Sequence, residues 1–206
     1  MSEQGFGLPV SRETEAGLIA FEAEFLKWAA RMNLVAPSTL KDVRQRHISD
    51  SAQILELAPQ TKTVIDLGSG GGFPGLVLAV LLGETPAAHV HLVESNGKKC
   101  AFLRHVIRTL TLPATVHNHR IEKVMGGLPG ADIVTARALA PLPLLLTLAL
   151  PKLTLGMPAF FHKGREHSEE IAAARSEYKF DLVVHSSRVE AGSVILEIRN
   201  VAPLAA

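Results

Sequence analysis

The sequence predicts a doubly wound α/β fold, a mostly parallel sheet with helices on both faces, preceded by an N-terminal helical extension. Two observations predict this class. Between residues 63 and 163, short β-prone runs alternate with helical patterns, which is typical of parallel βαβ units. After Tyr178 the helical pattern ends, and two β-rich runs flank Ala191 and Gly192. These runs predict an antiparallel C-terminal hairpin at the edge of the sheet.

The first 60 residues contain two helical patterns. Apolar residues between Leu18 and Met32 recur at three- and four-residue spacing, which predicts an amphipathic helix over residues 12–32. A second pattern begins at Pro37 and continues to Pro59. We therefore expect residues 1–60 to form a helical extension packed on a core domain of residues 61–206, so that the chain is a single structural unit.

The core domain is predicted from alternating runs. Its parallel strands are expected at 64–67, 90–94, 114–118, 131–136 and 158–163. Its helices are expected at 74–82, 97–110, 121–125, 141–150 and 166–177.

Composition predicts a cytoplasmic protein with an ordinary core. The chain has 206 residues, of which 47% are hydrophobic and 20% charged, and these proportions are typical of soluble globular proteins. The apolar run 138–150 is too short to span a membrane, and we expect no signal peptide. A single cysteine, Cys100, fits a reducing compartment. The net charge is +1, so a polyanion would have to be bound by a local basic patch.

The motif DLGSGGGFPG, residues 66–75, lies between a predicted strand and a predicted helix. Glycines admit a ligand close to the backbone, and a helix N-terminus offers unpaired N–H groups, so this turn predicts a site for a polar or anionic ligand. A phosphate-binding P-loop is excluded because no Lys-Ser/Thr pair follows. The internal G-x-G-x-x-G match, residues 70–75, leaves a dinucleotide open.

Two carboxylates favour one ligand class. Asp66 precedes Gly68 by two residues, where its charge would repel a pyrophosphate and favour a cationic ligand. S-adenosylmethionine carries an ammonium and a sulfonium and no phosphate. Glu94, at the end of the second predicted strand, is placed to accept both ribose hydroxyls. The pair favours S-adenosylmethionine, and the alternative is an NAD(P)-dependent oxidoreductase on a Rossmann fold.

The motifs together resemble the bacterial small-subunit ribosomal RNA methyltransferase G family, also called glucose-inhibited division protein B. The matching pieces are RHISDS (46–51), VIDLGSGGGFPG (64–75), VESNGKKCAFLRHV (93–106), RIEKV (120–124), DIVTARALAPL (132–142) and FHKG (161–164). They extend over most of the chain.

The resemblance implies a Rossmann-like class I methyltransferase that moves a methyl group from S-adenosylmethionine to N7 of guanine 527, in the 530 loop of 16S ribosomal RNA. S-adenosylhomocysteine would be the product, and the 30S subunit the partner of a monomeric enzyme. A non-catalytic ribosome-assembly factor is the other alternative. Cofactor contacts are expected from Asp66, Gly68, Gly70, Phe73, Glu94, Ile121, Glu122 and Arg137.

Guanine N7 has an in-plane lone pair and no proton, so methylation there needs positioning and no general base. Arg137 and Lys163 are the candidates for positioning at the reacting atoms. RNA contacts are expected from Arg46, His47, Lys163 and Arg165. The histidine pairs at 89/91 and 117/119 have no accompanying cysteine or carboxylate, so we expect no metal site.

Overall fold

The computed structural model describes Phe6 and residues 9–204, and these contain one seven-stranded sheet. The strands are β1 (Thr63–Leu67), β2 (His89–Val93), β3 (Ala114–His117), β4 (Ile133–Arg137), β5 (Ala159–Lys163), β6 (Tyr178–Ser186) and β7 (Val194–Pro203). Their spatial order is β3-β2-β1-β4-β5-β7-β6. β1 to β5 are parallel, and β7 pairs antiparallel with both β5 and β6. The predicted fold class and the terminal hairpin are confirmed.

The α-helices are α1 (Arg12–Ala29), α2 (Asp50–Leu57), α3 (Gly75–Leu81), α4 (Gly97–Leu110), α5 (Ile121–Val124), α6 (Leu142–Leu153) and α7 (His167–Arg175). The core helices lie where the sequence predicts them. The helix predicted from Pro37 to Pro59 is instead divided into a 3₁₀ segment (Pro37–Asp42), a π-helical segment (Val43–Ser49) and α2. Two carbonyls of the π-helical segment accept hydrogen bonds from the distant Arg137. That long-range contact has no signature in the local sequence.

The N-terminal helix shares its core with the sheet. α1 begins after Ser11, whose side chain accepts from the Thr14 N–H at 3.0 Å. The fully buried rings of Phe21 and Phe25 lie 5.5 and 5.1 Å from the ring of Phe73, in edge-on contacts. Phe73 belongs to the glycine loop, so α1 packs directly against the element that was expected to bind the ligand.

The chain reverses its direction of winding between β1 and β4, and a crevice opens there at the carboxyl ends of the strands. Gly68 follows β1 with a φ of +65°, and Ala138 follows β4 with a φ of +50°. A Cβ on Gly68 would lie 2.5 Å from Cδ1 of Leu139. The two loops therefore meet at the floor of the crevice, where a side chain on Gly68 would collide with the side chain of Leu139.

Candidate active site at the carboxyl edge of the sheet

Three adjoining cavities follow the carboxyl edge of the sheet. The first, of about 380 Å³, lies beyond β1 and β2; the second, of about 270 Å³, lies over the glycine loop; the third, of about 460 Å³, lies beyond β4 and β5. Gly68 and Lys99 line both the first and the second, and Arg137 lines both the second and the third. Ala138 lines all three. The cavities thus form one continuous cleft centred on the β1/β4 crevice.

Glu94 fixes the wall of the first cavity. Its Oε2 accepts from the Gly70 N–H at 3.0 Å, and its Oε1 accepts from the Asn96 N–H at 2.7 Å. The residue is only 8% exposed, yet it lines the cavity. Because each carboxylate oxygen can accept a second hydrogen bond, this oriented group can still receive two hydroxyls of a ligand.

Asp66 is placed differently from the prediction. Its side chain is fully buried, and Oδ1 accepts from Thr135 Oγ1 on β4 at 2.9 Å. Oδ2 would lie 2.5 Å from a Cβ on Gly75, so the carboxyl occupies the space beneath the loop. Burial raises its pKa to about 7. The predicted direct contact with the cofactor does not fit this geometry, and Asp66 supports the loop from below.

Apolar side chains form the opposite wall of the first cavity. Val93 ends β2, Ile121 opens α5, and Leu144 and Leu148 lie on α6. Glu122 is exposed at the rim. This arrangement, with apolar walls and one oriented carboxylate, suits a flat heteroaromatic ring joined to a sugar.

Phe73 lines the second cavity from within the hydrophobic core. Its ring is 7% exposed, packs on α1 and stacks on His47 with centroids 5.0 Å apart. Burial lowers the pKa of His47 to about 4, so this imidazole is neutral at pH 7. The cations that reach this cavity are Lys99 and Arg137.

An ion network surrounds the third cavity. The Arg137 guanidinium donates to the backbone oxygens of Arg46 at 2.7 Å and His47 at 3.4 Å, and lies 3.6 Å from Asp50 Oδ2. His162 lies 3.1 Å through Nε2 from the Asp50 carbonyl, so Nε2 carries the proton and donates. Burial lowers the pKa of His162 to about 4, so the ring is neutral at pH 7. Its hydrogen bond to Asp50 joins β5 to α2.

The basic residues predicted to contact RNA are largely engaged within the chain. Arg46 forms an ion pair with Glu190. Lys163 donates to the Ala140 carbonyl at 2.8 Å and pairs with Glu170, although it also lines the third cavity.

The other two residues predicted to contact RNA are His47 and Arg165. His47 is buried against Phe73, as described above. Arg165 lies outside the three cavities, where its Cγ is 3.0 Å from the Cβ position of Gly192. Of the residues predicted for the cofactor, Gly68, Glu94, Ile121 and Glu122 come together in the first cavity, and Gly68, Gly70, Phe73 and Arg137 in the second.

Sequence reasoning missed two parts of the site. Lys99 lies inside the motif NGKK, which marks the start of α4 but does not show that this lysine reaches both cavities. Asp50, the partner of Arg137, is 87 residues away in the chain, and only the fold brings the two together.

The histidines of β2 and β3 contact one another, with His91 Nδ1 3.1 Å from His117 Nε2. Within the part of the chain that the structure describes, no three His, Cys, Asp or Glu side chains are grouped to hold a metal ion. Within the same residues, no helix has the length and apolar character needed to cross a membrane.

Comparison with known proteins gives one consistent family. The model of the family described as rRNA small subunit methyltransferase G matches residues 14–199. Proteins named ribosomal RNA small subunit methyltransferase G from Chelativorans sp. (strain BNC1) and Sinorhizobium medicae (strain WSM419) are each 51% identical to the chain. The alignments cover 93% and 94% of this chain and 91% and 92% of those proteins.

Solved structures with the same fold are more distant in sequence. An O-methyltransferase from Bacillus cereus in complex with SAH has a TM-score of 0.58 at 13% identity, covering 94% of this chain and 93% of that one. An O-methyltransferase from Streptomyces achromogenes in complex with SAM has a TM-score of 0.59 at 12% identity, covering 94% and 92%. The fold is that of the Rossmann-like class I methyltransferases.

Proposed function

Because this chain belongs to the rRNA small subunit methyltransferase G family, we propose that it transfers a methyl group from S-adenosylmethionine to N7 of guanine 527 in 16S ribosomal RNA. The observation that carries the proposal is the continuous cleft at the β1/β4 crevice, in which the oriented Glu94 faces apolar walls. The product would be S-adenosylhomocysteine, and the partner the 30S subunit.

The residues of the cleft fit this cofactor better than a dinucleotide. The first cavity would hold the adenosine, with the ribose on Glu94 and the adenine against Ile121 and Leu148. The second would hold the methionyl group, with its carboxylate near Lys99 or Arg137. The Gly70 N–H, which a dinucleotide fold would offer to pyrophosphate, already donates to Glu94. That N–H is therefore not available to a pyrophosphate, which disfavours the NAD(P)-dependent alternative.

The chain's own residues would act by positioning. Bound S-adenosylmethionine supplies an activated methyl group. The third cavity adjoins the second through Arg137 and Ala138, so a guanine entering beside Lys163 would approach the junction of the two. N7 carries no proton, and the histidines nearest this junction, His47 and His162, are neutral and packed within the fold. The arrangement supports alignment of the base without a general base.

The remaining organisation is also proposed. Residues 1–60 would be the extension that closes the cleft from the α1 side, and residues 61–206 the methyltransferase domain. We expect a monomer that acts in the cytoplasm.

Methyl transfer from labelled S-adenosylmethionine to unmethylated 30S subunits tests the proposal directly. Titration calorimetry separates the oxidoreductase alternative: S-adenosylhomocysteine should bind and NADH should not. Clear binding of NADH without S-adenosylhomocysteine would overturn the proposal. An assembly factor without turnover would leave the subunits unlabelled although it binds them.

A further inference from the structure

Positive charge is concentrated on the side of the molecule that α4 and the β2–β3 edge of the sheet form. α4 carries four lysine or arginine residues and no carboxylate. Residues 97–123 carry six lysine or arginine residues against a single glutamate, whereas the net charge of the whole chain is +1. The local basic patch that a polyanion needs therefore lies on the β2–β3 side of the sheet.

A groove of about 730 Å³ lies where the last turn of α1 meets α4 on this side. Trp28 is half-buried in it, with its ring held against Phe102 at 5.6 Å and His105 at 5.3 Å. Arg31 and Lys98 line the groove and are exposed. The groove thus combines an ordered aromatic ring with cationic side chains.

The groove has a net positive charge, because its cationic side chains outnumber its carboxylate. Its carboxylate, Glu24, is engaged through both oxygens, by Lys27 at 2.6 Å and by His105 at 2.7 Å. Arg31 and Lys98 form no ion pair with any residue that the structure describes. Their charges are available to an anionic partner.

The groove adjoins the cleft through two segments of chain. Residues 30–32 line the groove, and residues 34–36 line the second cavity. Lys98 faces the groove, while its neighbour Lys99 lines the first and second cavities. An extended polyanionic chain bound in the groove would therefore reach the edge of the cleft.

We propose that this α1–α4 groove binds the unpaired ribosomal RNA strand next to the methylated guanine, with Arg31 and Lys98 on phosphates and the Trp28 ring available to a base. Cations beside an aromatic face are what single-stranded nucleic acid requires. The inference rests on the proposed function, because its ligand is the same RNA. It moves the main RNA contacts away from Arg46 and Lys163, which are paired within the chain.

Trp28 is the only tryptophan of the chain, so its fluorescence reports on the groove alone. The full-length protein is titrated with an unmethylated 16S rRNA fragment containing the target loop, and fluorescence anisotropy of an end-labelled copy measures total binding. We expect Trp28 emission to change in parallel with the anisotropy. Binding by anisotropy with unchanged Trp28 emission would overturn the proposal.

Charge reversal then tests the cations. Arg31→Glu/Lys98→Glu should weaken RNA binding at least about tenfold and reduce the magnitude of the slope of log K against log salt by roughly 1.4. The matched control is Arg175→Glu/Lys179→Glu, which changes the net charge equally at exposed positions by the far sheet edge. Equal weakening by both double variants would contradict the proposal.

Two further measurements separate this inference from the proposed function. Affinity for S-adenosylhomocysteine, by calorimetry, should stay within about twofold in the groove variant. If the groove variant lost affinity for S-adenosylhomocysteine as strongly as for RNA, the substitutions would be acting on the cleft, and the groove assignment would be overturned. Failure of the wild type to methylate 30S subunits would instead overturn the proposed function, while the Trp28 titration would still decide on the groove.

Discussion

The two halves of the cleft are built in different ways. The β1–β2 half combines glycine backbone and an apolar wall with Glu94, whose carboxylate is held by backbone N–H groups, and its other charged side chains form no ion pair with any residue that the structure describes. The β4–β5 half is a network of charged side chains from distant parts of the chain, centred on Arg137 and Asp50. A half whose carboxylate is oriented by the backbone suits one small cofactor of fixed shape, whereas the β4–β5 half is held together by its own ion pairs. Substitutions should therefore act through shape and backbone hydrogen bonds in the β1–β2 half, and through the energy of ion pairs in the β4–β5 half.

The largest effect is expected at Gly68, in the β1–β2 half. Gly68→Asp adds a side chain where φ is +65° and where a Cβ would lie 2.5 Å from Leu139. Either the Leu139 side chain or the loop must shift, a side chain at this positive φ is strained, and Gly68 lines the first two cavities. We therefore expect affinity for S-adenosylhomocysteine to fall more than about 100-fold and methyl transfer to be lost. Titration calorimetry measures the first and labelled transfer the second.

Gly126→Ala is the matched control, because nothing lies within 4 Å of its Cβ position and its φ lies outside the left-handed region. It should bind S-adenosylhomocysteine normally. Normal binding by Gly68→Asp as well would refute the close meeting of the β1 and β4 loops.

Arg137→Ala tests the β4–β5 half. It removes the cation beside buried Asp50 and the donor to two carbonyls of the π-helical segment. Asp50 keeps its hydrogen bonds from Gln53 and Ser187 but loses its cation. The free energy of unfolding, measured in urea, should therefore fall by about 3 kcal/mol. Arg137→Ala/Asp50→Asn should recover part of this loss. Strictly additive losses would show that the two side chains are not coupled.

The buried carboxyl of Asp66, in the β1–β2 half, should make the free energy of unfolding depend on pH. Burial raises its pKa from 3.8 to about 7, so the folded protein holds this proton more tightly than the unfolded chain. Its contribution to stability is complete below about pH 4 and is lost as the pH rises to about 7. The free energy of unfolding of wild type relative to Asp66→Asn should decline by roughly 2–4 kcal/mol across that window. Parallel pH profiles of the two proteins would contradict the raised pKa.

Glu94→Gln should have the smallest effect. The amide keeps the size of the side chain but can accept only one of the two N–H bonds from Gly70 and Asn96. We expect stability to fall by about 1–3 kcal/mol and S-adenosylhomocysteine affinity by roughly tenfold. Glu122→Gln, at the exposed rim of the same cavity, is the control and should change stability little.

The two halves also differ in how well the sequence predicts them. The glycine loop, Glu94 and Ile121 are local motifs at strand ends, and strand ends of a parallel sheet meet at one edge, so their assembly was predictable. The pairing of Arg46 with Glu190 spans 144 residues and depends on where the terminal hairpin packs. Such side-chain partners have no periodic signature, and the predicted RNA contacts were therefore only partly placed at the cleft.

The central claim is most directly tested by mapping the modified nucleotide. Mass spectrometry of 16S ribosomal RNA from cells with and without this protein, and of 30S subunits from the latter after incubation with purified protein and S-adenosylmethionine, gives the answer. The account predicts a single N7-methylguanine in the 530 loop that disappears without the protein and returns on incubation. An unchanged 530 loop, or a methyl group on another atom or nucleotide, would contradict it.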